Sequence, residues 1–154
     1  AEDPSIVLLS PFAAGVDDRQ EFLCKRHPSV AVLALRAFCP RFGKRFFPAI
    51  MARYDMSDVC SGSTPVDVPL ASGCFMLVRG PAFEQVGGFD ESFFLYFEDF
   101  DLSLRLRELG RLSYQPGVRI VHHGGYAASK GWHHLKMFAH SAFRFFRLHG
   151  WRWI

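Results

Sequence analysis

Three carboxylates, Glu98, Asp99 and Asp101, fall within four residues. About 20 residues later come two adjacent imidazoles and two glycines, His122-His123-Gly124-Gly125. A tight-turn sequence, Gly87-Gly88-Phe89-Asp90, precedes both. Crowded carboxylates repel one another, so a partly buried member of the trio is held with a raised pKa, as a general base requires. An imidazole can ligate a metal or meet a phosphate, and neighbouring glycines let the backbone approach a ligand closely. Acids and a histidine at one sheet edge point to proton transfer beside a metal or phosphate.

Elements must bring these residues together. Glu98 to Leu109 reads as a helix, with acids crowding its first turn and Gly110 just past its end. Its Leu-x-Leu-x-Leu alternation also fits a strand. On a helix, Asp99 and Asp101 diverge by about 200°, which argues against reading Asp99-Phe100-Asp101 as the metal-diphosphate D-x-D of a strand end. Two short strands, 111–115 and 118–122, are expected to meet at Pro116-Gly117 and carry His122 and His123 to opposite faces. Buried strands are expected at 6–9 and 75–78, and a helix from Pro28 to Phe38. Pro81 should open a short helix that closes at Gly87-Gly88. Residues 40–65 read as an irregular loop, and 131–149 as an amphipathic, basic and aromatic helix. Simpler roles stay open for each group. The acids would cap a helix, with Asp101–Arg105 as an i,i+4 ion pair. One histidine would be a buried side chain bonded to a carbonyl, and the glycines a helix C-cap.

The chain has 154 residues, 49% of them hydrophobic and 17 of them Phe, enough for one domain with a real core. No apolar run reaches the roughly 18 residues of a membrane span, and no basic-then-apolar leader opens the chain. It starts Ala-Glu-Asp-Pro without a Met, as a segment of a longer protein would. The four cysteines lack C-x-x-C spacing, which argues against a zinc knuckle and for reduced thiols in a cytoplasmic protein. Residues 1–108 carry 11 basic and 15 acidic side chains, whereas residues 109–154 carry seven cations and no acid. Such a tail faces anionic matter or forms a solvated helix face.

Three stretches resemble family 2 glycosyltransferases, in particular bacterial rhamnosyltransferase-like enzymes: S-G-C-F-M-L-V-R from Ser72, F-E-Q-V-G-G-F-D-E-S-F-F-L-Y-F-E-D-F-D-L-S-L-R from Phe83, and V-H-H-G-G from Val121. The resemblance covers residues 67–150, with weaker echoes in 3–40. It implies an α/β chain forming the C-terminal portion of a GT-A fold, with a mixed sheet flanked by helices. It further implies inverting transfer of a sugar from a nucleotide-diphosphate sugar to a glycan or lipid-linked acceptor in cell-surface polysaccharide synthesis. A divalent metal, Mg or Mn, is the implied cofactor. By the same resemblance Asp99 matches the catalytic base with Glu98 as its neighbour, and His123 matches the metal-diphosphate histidine. Gly87, Gly88, Phe89 and Asp90 match the acceptor-side turn, and Ser72 and Gly73 the loop on the donor side. The family's nucleotide-binding half and its own D-x-D are not in this sequence, so the 154 residues are expected to be inactive alone.

Two other classes fit the residues. One is a non-catalytic module binding a membrane or partner through the C-terminal helix; the other is a metal-dependent hydrolase built on the histidines. Under the leading reading, nucleic acid is not an expected partner. Peripheral contact with the inner face of the cytoplasmic membrane, and a homo-oligomer, are compatible with it.

Overall fold

The computed structural model describes residues 3–123 and 131–154. It is an α/β structure with a mixed sheet. The elements run β1 (Ile6–Ala14), β2 (Gln20–Glu21), β3 (Cys24–Lys25), α1 (Val30–Phe38), α2 (Pro40–Phe46), α3 (Pro48–Tyr54), β4 (Val66–Asp67), β5 (Leu70–Ala71), β6 (Leu77–Val78), α4 (Gly80–Gln85), α5 (Glu98–Arg107), β7 (Arg111–Val121) and α6 (Gly131–His149). Strand β1 is central. It pairs in parallel with β7 and antiparallel with β2 and β6, and β4 closes the far edge on β7. Strands β3 and β5 form a separate antiparallel pair.

The long parallel pair corrects two expectations. Strand β1 does not stop at Ser10-Pro11, and 111–121 is one strand rather than two. Pro11 lies opposite Gln115 and Phe12 opposite Arg119, so Pro116-Gly117-Val118 bulge out of β7 and pairing resumes beyond them. A proline without an N–H is tolerated where the ladder is already interrupted. The segment 75–78 is also not a buried strand. Only Leu77–Val78 pair, at the edge of β1, and Leu77 is exposed; the buried strand of this region is β5. Helix α1 starts at Val30 rather than Pro28, because the Ser29 hydroxyl accepts from the Val32 N–H at 3.2 Å and caps it. The stretch 40–65 is less irregular than expected. Pro40 and Pro48 each occupy a first helical turn, where a missing N–H costs nothing, and so start α2 and α3 instead of breaking them.

Helix α5 is a helix, and its leucines serve two cores. Leu102 and Leu106 are fully buried with Leu8, Leu112 and Tyr114 of the sheet. Leu104 packs on the other side, against an aromatic cluster of Tyr54, Phe93, Phe97, Phe145 and Phe146 that ties α1, α3 and α6 together. Alternate leucines on one helix thus bridge two layers, which explains why the alternation imitated a strand. Gly110, between α5 and β7, is obligatory on steric grounds: a Cβ there would lie 2.6 Å from the Ser5 carbonyl oxygen. Helix α6 has the expected bounds. All four cysteines are free thiols. Among the described residues, no helix is long and apolar enough to cross a membrane.

Candidate functional site

The residues entering α5 build the site. Tyr96 and Phe97 both hold positive φ, 70° and 67°, a conformation that aromatic residues rarely adopt. Each such residue costs roughly 1–3 kcal/mol and persists only when its surroundings enforce it. Here they do. The Phe97 ring packs against Phe100, Phe138 and Phe145 at centroid distances of 5.7, 5.2 and 5.3 Å. The Tyr96 hydroxyl meets His134 Nδ1 at 3.1 Å. Helix α6 therefore clamps a left-handed turn whose product is the placement of Glu98 and Asp99. His134 belongs to this clamp.

Asp99 faces the loop that leaves β5. Its Oδ2 accepts the Gly73 N–H at 2.8 Å and its Oδ1 the Phe100 N–H at 2.8 Å. The loop is fastened from below: the Ser103 hydroxyl donates to the Asp99 carbonyl at 2.7 Å and accepts the Ala71 N–H at 3.1 Å. The approach is close enough that a Cβ on Gly73 would sit 3.3 Å from the Asp99 Cβ. Burial pushes the Asp99 carboxyl up to about 6, Glu98 adds to the rise, and the Gly73 N–H opposes it. Asp99 is thus a partly buried carboxylate held by N–H donors and, among the described residues, by no cation. Its neighbour Glu98 has a buried oxygen, Oε2, without a hydrogen-bond partner.

Asp101, two residues on, has the opposite surroundings. It is buried and bonded to Arg105 at 2.8 Å and to His149 Nε2 at 2.8 Å. Arg105 also donates to the Val86 carbonyl at 2.7 Å. Asp101 therefore anchors α4 and α6 to α5. The two aspartates diverge as helical geometry requires and do not form a joint metal clamp.

The other expected residues are positioned as follows. Gly87 and Gly88 take φ of 74° and 70° and end α4, their N–H groups bonded to Glu84 and Phe83. Phe89 is exposed, edge-on to Phe83. Asp90 accepts from the Ser92 N–H and hydroxyl, which hold its carboxyl below the usual range, and it lies 3.6 Å from Arg144 of α6. Gly87, Phe89 and Asp90 border a cavity of about 420 Å³ that Asp101, Arg105 and His149 also line. Asp99 is not among its lining residues. Ser72 donates its N–H to the Leu23 carbonyl and caps the turn at Cys74.

At the end of β7, His122 and His123 differ. His122 Nδ1 meets Glu21 Oε2 at 2.5 Å, while His123 is exposed. Gly124, Gly125 and Lys130 lie outside the described residues. Gly73 binds Asp99, and the Cys74 thiol next to it is raised by burial and, second, by the charge of the Glu21 carboxylate, which also meets His122. Among the described residues, no three His, Cys, Asp or Glu side chains converge to hold a metal. Glu21, Ser103 and the Tyr96-Phe97 turn were not anticipated from sequence, and only Ser103 carries a local hint, as a small polar residue within a run of leucines.

No protein-family model matches the chain, and no solved structure matches it. Curated relatives match part of it. N-acetylglucosaminyl-diphospho-decaprenol L-rhamnosyltransferase of Mycobacterium tuberculosis, in strains CDC 1551 / Oshkosh and H37Rv, is 48% identical over 60 residues, 38% of this chain and 20% of the relative. Rhamnosyltransferase WbbL of Escherichia coli K12 is 47% identical over 57 residues, 36% of this chain and 22% of the relative. The matched stretch thus spans about a fifth of these relatives' length, and over that stretch the chain is similar to rhamnosyltransferases.

Proposed function

We propose that this chain is the acceptor-side and catalytic-base portion of a family 2 glycosyltransferase of GT-A fold. It would transfer a sugar, rhamnose in the first instance, from a nucleotide-diphosphate sugar to a glycan or lipid-linked acceptor. The reading rests on one observation above the others: Asp99, a partly buried carboxylate that meets no cation among the described residues, is pushed up to about 6 by burial on a strained, clamped helix entry. The partial similarity to rhamnosyltransferases supplies the class of reaction.

The chemistry then follows from the carboxylate. An acceptor hydroxyl has a high pKa and attacks well only if its proton leaves as the new bond forms. Asp99 takes that proton while the oxygen attacks the anomeric carbon from the face opposite the diphosphate, and the C–O bond to the diphosphate breaks with inversion. A carboxylate with a pKa near 6 is ionised at neutral pH, yet is more basic than an ordinary aspartate. The Gly73 N–H fixes its direction. The Gly87-Gly88-Phe89-Asp90 turn would meet a part of the acceptor away from the attacking hydroxyl, since Asp99 does not line the cavity beside it. A divalent metal, which His123 would help to hold, would neutralise the leaving diphosphate when bound, together with donor-binding segments these 154 residues do not include. The setting would be the cytoplasmic face of the membrane.

The test is a nucleotide-sugar binding and transfer screen on the complete enzyme and on this chain side by side, each with Asp99→Asn. Transfer by the complete enzyme that survives the substitution at near-normal rate removes Asp99 from the mechanism. Tight nucleotide-sugar binding by the 154 residues alone removes the division into halves.

A further inference from the structure

The corner where α2 meets α3 is built inside out. Gly43 is the buried residue of α2: a Cβ there would lie 3.6 Å from Leu35 of α1 and 3.6 Å from Met51 of α3. With the small residue turned inward, the large ones face outward. Phe42 and Phe46 share a neighbouring, outward face at i,i+4, their ring centroids 4.5 Å apart, and are 49% and 62% exposed. Phe47 at the junction and Ile50 in α3 extend the patch and are 40% and 44% exposed. Four large apolar side chains at one corner form a patch of the kind that marks an interaction site.

The surrounding charge specifies the occupant. Residues 22–54 contain seven cations and no acidic residue. Lys25, Arg26 and Arg36 are neutralised by Asp55 and Asp58. Arg45 and Arg53 are exposed and, among the described residues, have no carboxylate partner. Aromatic side chains beside unpaired cations suit the boundary of an anionic bilayer, where rings enter the acyl edge and cations stay at the headgroups.

We propose that the α2–α3 corner is a docking surface for an anionic lipid bilayer, with Phe42, Phe46, Phe47 and Ile50 inserting and Arg45 and Arg53 meeting headgroups. The proposal adds a second face to the membrane contact expected at α6, where Phe138, Phe145 and Phe146 pack inward while Trp132 and Phe143 are exposed. It stands independently of the transferase reading, since it requires no catalysis.

The experiment is co-sedimentation of the 154-residue chain with vesicles of phosphatidylglycerol and phosphatidylcholine, against pure phosphatidylcholine, at low and high salt. Binding to the anionic vesicles alone, weakened by salt, is expected. Phe42→Ser/Phe46→Ser and Arg45→Glu/Arg53→Glu should each lower the partition coefficient by at least about tenfold. Circular dichroism melts like the parent's show that these exposed substitutions leave the fold intact. Three outcomes overturn the proposal. The chain stays in the supernatant with anionic vesicles at low salt. It binds, but both double variants bind equally well, while Arg144→Glu/Arg147→Glu does not. It forms an oligomer that the Phe42→Ser/Phe46→Ser variant loses, without sedimenting with vesicles, so that a second copy is the occupant.

Discussion

Asp99 and Asp101 sit two residues apart on the first turn of one helix and have opposite surroundings. Asp101 is buried between Arg105 and His149 and joins three helices. Asp99 receives only backbone N–H groups and carries a carboxyl raised to about 6. A carboxylate bonded to both an arginine and a histidine is committed to holding elements together. One that is buried without a cation retains its affinity for a proton at the expense of stability. The difference separates a structural acid from a chemical one more sharply than either residue's place in the sequence.

The largest expected effect breaks the comparison at Asp99. On the proposed function, Asp99→Asn should reduce turnover of the complete protein by roughly 10²–10⁴, the usual contribution of a general base, with donor affinity little changed. Steady-state kinetics with donor and acceptor varied separately check this. The parent enzyme should also lose activity as pH falls through about 6, where Asp99 takes up its proton.

The next effect sits at Asp101 and is one of stability. Asp101→Ala leaves the half-buried Arg105 without its anion and releases His149, and should destabilise the chain by about 2 kcal/mol, read from urea unfolding. Asp99→Asn should do the reverse. Its folded-state carboxyl lies above the unfolded value of 3.8, so the group favours the fold at low pH and loses that contribution as pH rises from about 4 through 6. At pH 8 the ionised Asp99 is a net cost. Asparagine removes that charge and can still accept the Gly73 N–H, at the loss of the bond from the Phe100 N–H, so the variant should be more stable by about 1 kcal/mol at pH 8 and less stable than the parent below pH 4. A variant less stable than the parent at pH 8 would make Asp99 a structural acid like Asp101.

How far this contrast was legible in sequence depends on how local each signal is. The acidic first turn, the Asp101–Arg105 pair, the Gly87-Gly88 turn and the bounds of α6 follow from spacings of a few residues, and the divergence of Asp99 from Asp101 follows from helical rise alone. The rest is long-range. His149 reaches Asp101 across 48 residues and Glu21 reaches His122 across 101. No periodicity reports such pairs. The positive φ at Tyr96 and Phe97 runs against the preference of bulky aromatics and is enforced by α6, so local rules point away from it. Prolines were misleading for a physical reason: Pro40 and Pro48 look like breakers and act as helix starts.

The histidines extend the same contrast on a smaller scale. His122, held by Glu21, should contribute about 1 kcal/mol of stability, lost in His122→Ala, whereas His123→Ala at an exposed position should stay within about 0.5 kcal/mol of the parent. In the complete enzyme, metal-dependent donor binding should weaken more in His123→Ala than in His122→Ala. Equal losses of binding in the two variants would make this strand end purely structural.

The smallest effect tests how Asp99 is aimed. A Cβ at residue 73 would approach the Asp99 Cβ at 3.3 Å, tighter than an ordinary contact but not prohibitive, and the backbone of Gly73 does not hold positive φ. Gly73→Ala should therefore fold, shift the loop or the carboxylate by a few tenths of an ångström, and stretch the 2.8 Å bond from the residue 73 N–H. That bond is what holds the carboxyl down against burial. Weakening it should move the acid limb of the pH–rate profile upward, by about half a unit for a cost of about 0.7 kcal/mol, and lower turnover at neutral pH by a few-fold. An acid limb that stays in place while turnover falls would mean that Gly73 matters for approach of a substrate rather than for the state of Asp99.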